Sequence, residues 1–109
     1  MLTALFTTCE AILVEDISNQ RVEILAPAEG TQLATGTITL NWQTLSNANS
    51  YHVQIATPGF TNATQILLDT TVTENRTSIA LTTGTYQWRV RASNTAYATE
   101  YTTINFSVN

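Results

Sequence analysis

The chain contains no lysine. Its only cationic side chains are Arg21, Arg76, Arg89 and Arg91, set against eight acids, for a net charge of −4 over 109 residues. Charged residues make up 11% of the sequence, less than half of the ~25% usual in a globular domain. Without a basic patch there is little to neutralise a phosphate backbone, which argues against nucleic-acid binding. Cys9 is the single cysteine, so no disulfide can form within the chain and the fold must be held by packing. The four glycines are isolated from one another in turns, which leaves no glycine-rich phosphate loop. No stretch approaches the ~20 apolar residues of a membrane-spanning helix.

What is abundant is β-branching. Thr supplies 22 positions, Ile 8 and Val 6, about a third of the chain. That composition disfavours a helical bundle and suits strands. A hydrophobic content of 43% is too high for disorder. The length fits one domain of roughly 100–150 residues.

From Val22 onward apolar and polar residues alternate with period two, the pattern of half-buried strands. Val22–Ile24 leads into a Pro27-Ala-Glu-Gly30 turn, and a second turn follows at Thr35-Gly36. In 37–43, Ile38, Leu40 and Trp42 share one face. In 51–55, Tyr51, Val53 and Ile55 point inward and His52 and Gln54 outward. Residues 65–72 and 77–81 read as two further strands. The strongest run is 86–92, with Tyr86, Trp88, Val90 and Ala92 on the apolar face and Gln87, Arg89 and Arg91 on the wet one. Ile104, Phe106 and Val108 close the series. Seven short strands at roughly 8–12-residue spacing predict an all-β, antiparallel sandwich. Trp42, Tyr51, Tyr86 and Trp88 are expected in its core, where each Trp buries on the order of 200 Å².

Leu40-Asn41-Trp42, Tyr51-His52-Val53 and Tyr86-Gln87-Trp88-Arg89-Val90-Arg91-Ala92-Ser93-Asn94 together resemble a fibronectin type III module, an immunoglobulin-like sandwich. The resemblance covers residues 22–109. It implies that Trp42 packs at the core centre and that Tyr86 forms a tyrosine corner, its hydroxyl bonding back to the preceding loop. The fold hosts many unrelated roles and so implies no particular one.

Residues 1–9, Met-Leu-Thr-Ala-Leu-Phe-Thr-Thr-Cys, resemble the end of a bacterial lipoprotein signal segment, in which the Cys is lipidated. No basic residue precedes the apolar run, and the run is shorter than the 7–15 residues of an h-region. The resemblance therefore implies a chain shortened at its N-terminus; otherwise Cys9 is an ordinary thiol near a terminus. Residues 10–21, with Glu10, Glu15 and Asp16, read as an acidic tether that holds at most a short turn or edge strand around Ala11–Val14. Bacterial modules of this kind often follow a lipidated Cys and a short acidic tether. The expected place is then the cell envelope, with membrane attachment only through a lipid anchor.

The sequence offers little for catalysis. His52 lies on a polar strand face and reads as an exposed surface residue. Asp16 and Asp69 are far apart and show no metal-ligand spacing. No enzyme activity, cofactor or metal is expected. Asn62, Asn75 and Asn105 fit the N-glycosylation pattern, as chance allows in an Asn- and Thr-rich chain. The binding candidates are Tyr97 and Tyr101, in the loop before the last strand, which could stack on a sugar or anchor a cell-surface protein. Phe60 could cap one end of the core. Arg89 and Arg91 could pair with Glu or lie over aromatic neighbours. Two roles are expected: a monomeric spacer, adhesion or glycan-binding unit of an envelope lipoprotein, or a free-standing recognition domain using the Tyr97–Tyr101 loop.

Overall fold

The computed structural model describes residues 14–109. Cys9, the expected signal remnant and the first part of the tether lie outside the described residues. Eight strands follow one another: β1 (Ile24–Ala26), β2 (Thr31–Leu33), β3 (Gly36–Trp42), β4 (Ser50–Thr57), β5 (Gln65–Val72), β6 (Arg76–Leu81), β7 (Gly84–Ser93) and β8 (Thr102–Val108). They form two sheets, ordered β1-β3-β6 and β2-β8-β7-β4-β5. No helix among the described residues is long and apolar enough to cross a membrane.

The sandwich is as the alternation predicts, with one strand more than seven and one pairing that is not antiparallel. β2 runs parallel to β8, with Thr31 opposite Phe106 and Leu33 opposite Val108. The extra strand arises because the first strand changes sheets. β1 pairs with β3; the chain then turns at Ala28–Thr31, where Gly30 takes the left-handed backbone at φ 78° that glycine adopts without steric cost. The Gly30 amide donates to the Asn105 carbonyl at 2.8 Å, which starts β2 on the edge of the other sheet. Three residues are too few to show a period, so β2 left no sequence signal.

The inward faces are those read from the alternation. Leu40, Trp42, Val53, Ile55, Trp88, Val90 and Ala92 are fully buried, and Tyr51, Tyr86, Phe106 and Val108 nearly so. Trp42 sits 5.5 Å from Tyr51 and 6.1 Å from Trp88, centroid to centroid, in tilted contacts. The Trp88 indole donates to the Pro27 carbonyl at 3.1 Å. The Trp42 indole N–H is buried and meets no hydrogen-bond acceptor among the described residues. Tyr86 donates its hydroxyl to the Thr82 carbonyl at 2.7 Å, the bond of a tyrosine corner. Gly84 leaves room for it, since a Cβ there would come within 3.2 Å of that hydroxyl.

The segment read as an acidic tether differs from expectation in its second half. Asp16 Oδ1 accepts from the Ser18 amide and hydroxyl at 2.9 and 2.6 Å, which holds a turn and lowers the Asp16 pKa. The turn drives Ile17 into the core, where it is fully buried beside Val22. Burying one Ile side chain stabilises by about 1.5–3 kcal/mol, which offsets part of the entropy cost of ordering the segment.

Candidate functional site

The outer face of the five-stranded sheet carries the chemistry. Strand pairing sets Tyr51–Ala56 against both β5 and β7, with His52 opposite Thr71 and Arg91, and Gln54 opposite Asp69 and Arg89. On the far side of β7, Arg89 lies opposite Thr103 of β8. Alternation turns His52, Gln54, Asp69, Arg89 and Arg91 all away from the core.

Tyr101 ties this face together. It precedes β8, yet its hydroxyl lies 2.6 Å from His52 Nδ1 on β4. The sheet order is β8-β7-β4, so the phenol ring reaches across β7. Both arginines of β7 stack on it, Arg89 at 4.3 Å and Arg91 at 4.9 Å from the ring centroid. The Phe60 ring takes the Arg89 guanidinium at 4.0 Å. The result is a ladder of alternating rings and guanidinium planes. Such cation–π contacts are worth about 0.5–1 kcal/mol each where exposed. Phe60 therefore covers Arg89 and does not cap the core. Its backbone amide donates to Gln87 Oε1 at 2.9 Å. Gly59 makes that approach possible, because a Cβ at 59 would stand 2.8 Å from the same oxygen.

His52 is not the free surface residue expected. Its Nε2 meets Asp69 Oδ1 at 2.5 Å, and its side chain is only 26% exposed. The bond from His52 holds the Asp69 carboxyl below its usual pKa against the opposing effect of burial, and Gln54 and the Arg89 charge add smaller contributions in the same direction as His52. Asp69, His52 and Tyr101 thus form one hydrogen-bonded chain over three strands. Arg89 Nε donates to Gln54 Oε1 at 2.7 Å, which fixes the guanidinium plane beside it.

The two tyrosines expected to act together are separated. Tyr101 is half-buried in the ladder, while Tyr97 stands out at 38% exposure. Thr99 divides them. Buried at 3% exposure, it accepts from the Ala92 amide at 3.0 Å and pins the loop to the end of β7. Tyr97 is presented by Asn94, whose Oδ1 accepts from the Ala96 and Tyr97 amides at 3.0 and 2.8 Å. Asn94 Nδ2 donates to the carbonyls of Glu15 and Asn47, so the docked N-terminal segment and two loops meet at this end. Trp42, Tyr51, Tyr86 and Trp88 are all core residues.

Sequence reasoning missed Asp69 as the partner of His52, Gly59 and Gln87 as supports of Phe60, and Asn94 as the organiser of the loop. Of these, Asn94 and Gly59 left a signal, as turn-favouring residues just after a strand. A groove of about 350 Å³ lies beside the β1–β2 crossing, lined by Leu25, Pro27, Leu33 and Ile38 among others. It holds no charged side chain, and its polar side chains are the hydroxyls of Thr31, Thr37 and Thr39. Among the described residues, no group of three His, Cys, Asp or Glu stands close enough to hold a metal.

No family model matches the chain, and no curated protein matches it in sequence. Solved structures do match in shape. The fn3 domain of human collagen alpha-1(XX) chain aligns over 84% of this chain and 88% of its own, at TM-score 0.60 and 15% identity. A fibronectin type III domain from human KIAA0970 protein aligns over 81% and 72%, at 0.59 and 12%. The Clostridium thermocellum CbhA fibronectin(III)-like modules align over 81% and 95%, at 0.58 and 9%. The fold is a fibronectin type III-like, immunoglobulin-like β-sandwich. At these identities the likeness concerns the fold and carries no role with it.

Proposed function

We propose that this sandwich is a non-catalytic recognition module of a bacterial cell-envelope lipoprotein, attached through Cys9, with the outer face of the five-stranded sheet as its contact surface. The observation that carries the reading is the Phe60–Arg89–Tyr101–Arg91 ladder. Two of the chain's four cations are concentrated on one strand face of a charge-poor protein, and stacking fixes both in orientation. Immobilised planar groups lose less entropy on binding than free ones. A spacer needs no such face. The envelope part rests on the small and apolar residues before Cys9 and the acidic residues after it.

A glycan array probed with wild type, Tyr101→Ala and Tyr97→Ala decides between surfaces. The ladder reading expects binding that Tyr101→Ala abolishes and Tyr97→Ala spares. The reverse pattern favours a second reading, recognition through the exposed Tyr97 on its Asn94-braced loop. Absence of binding in every form makes the module a spacer. Attachment is tested separately, by palmitate labelling of the gene expressed with its upstream reading frame; unchanged labelling in Cys9→Ser would remove the anchor.

A further inference from the structure

We infer that Arg89 and Arg91 form a carboxylate-binding site for an acidic polysaccharide built from uronic acid units. The inference rests on the reading of the ladder as a recognition face and names its ligand class.

The two arginines are same-face neighbours on β7, so their backbones stand about 6.8 Å apart. The Tyr101 ring is stacked by both. Neither arginine has a carboxylate within ion-pair distance among the described residues, where the two ion pairs are Arg21–Glu100 and His52–Asp69. Arg89 uses Nε alone, toward Gln54. Arg91 makes no side-chain hydrogen bond to any described residue; its one polar engagement is the ring of Tyr101. The terminal N–H groups of both guanidiniums are therefore unspent. Two like charges held this close repel each other, and an anion bridging them relieves that repulsion.

The acid nearest to doing so is Asp69, opposite Gln54 on the next strand. It is occupied by His52, whose other ring nitrogen is occupied by Tyr101. Asp69 is thus turned toward His52 through Oδ1 and forms no ion pair with either arginine, so both forks stay open to an outside carboxylate. A guanidinium fork matches a planar carboxylate through two parallel N–H···O bonds.

The surroundings favour a sugar as the carrier. Thr71 and Thr103 flank the site and are exposed, and the Gln54 and Gln87 amides lie on the same face. Neutral hydroxyls and amides of this kind hydrogen-bond the hydroxyls of a sugar ring. Two cations on a chain of net charge −4 are too few for a nucleic-acid backbone, whose binding grows with the number of phosphates neutralised.

The test is an NMR titration of the full chain with trigalacturonate, maltotriose and a sulfated trisaccharide. Trigalacturonate should give saturable shifts at the Arg89 and Arg91 Nε–H groups and the Tyr101 ring, weakening as salt rises; maltotriose should give none. Arg91→Gln should lower affinity about tenfold, and Arg91→Lys, which keeps the charge without the fork, should recover only part of it. Because Arg91 holds no other hydrogen bond, either variant should keep the wild-type spectrum elsewhere. Absent or non-saturating shifts, shifts centred away from β7, or wild-type affinity in Arg91→Gln would each overturn the site. Binding of the sulfated sugar alone would overturn the carboxylate assignment. If the array finds a Tyr101-dependent ligand that is not a uronate, the recognition face stands and this ligand class falls.

Discussion

The Tyr101 hydroxyl lies 2.6 Å from Nδ1 of His52, 49 residues away in sequence. That one bond carries the phenol ring over β7 and makes it a shared stacking surface for both arginines. Tyr101→Phe keeps the ring and loses the bond, so it should cost about 0.5–1.5 kcal/mol in urea denaturation. Tyr101→Ala removes the stacking as well and should cost about 2–3 kcal/mol. If the two variants are equally stable, the ring contributes nothing on this face.

Asp69 gives the domain a pH dependence of definite sign. Its folded-state pKa lies below the ordinary value of 3.8, chiefly because His52 donates to it. A carboxylate lowered in this way stabilises the fold above its unfolded pKa, and the contribution fades as pH falls through the folded pKa. Wild type should therefore be more stable than Asp69→Asn at neutral pH, with the gap closing below about pH 4. Thermal unfolding of both proteins from neutral to acidic pH measures it. A gap that is constant with pH would mean that the His52 bond does not bind the ionised form preferentially.

Ile17 marks where the domain begins. It is fully buried, although it precedes the first strand and lies in a stretch without periodicity. Ile17→Ala should cost about 2–5 kcal/mol, the usual range for a core truncation. A fragment starting at Val22 should lose at least as much. Near-neutral effects on chemical denaturation would make residues 14–21 a true tether.

The residues that were legible in advance are those whose placement follows from local periodicity. Trp88 and Val90 face inward because they alternate with Gln87, Arg89 and Arg91, and that alternation needs no knowledge of the partner strand. The Asp69–His52–Tyr101 chain was not legible, because it depends on register between strands distant in sequence. His52 meets Asp69 only because β4 and β5 pair with Gln54 opposite Asp69. A slip of one residue would turn those side chains to the other face. Ile17 was missed for a related reason. A single apolar residue beside Asp16 and Ser18 has no period, and only the folded turn aims it inward.

The two tryptophans touch each other, yet they should respond differently to the same substitution. Both side chains are fully buried and their rings lie 6.1 Å apart. Trp88 satisfies its indole N–H on the Pro27 carbonyl, while the Trp42 N–H meets no acceptor among the described residues. Changing either to Ala should cost about 3–5 kcal/mol, from lost burial and the cavity left behind. Changing either to Phe leaves a smaller cavity and isolates the polar effect. Trp88→Phe strands a carbonyl and adds a cost of about 1–3 kcal/mol. Trp42→Phe removes a donor that is already unsatisfied, which offsets part of its cavity cost. Trp42→Phe should therefore be the milder variant by at least about 1 kcal/mol in matched urea titrations. The opposite order would show that the Trp42 N–H is satisfied, by water or by the face of a neighbouring ring, and that its burial carries no strain to relieve.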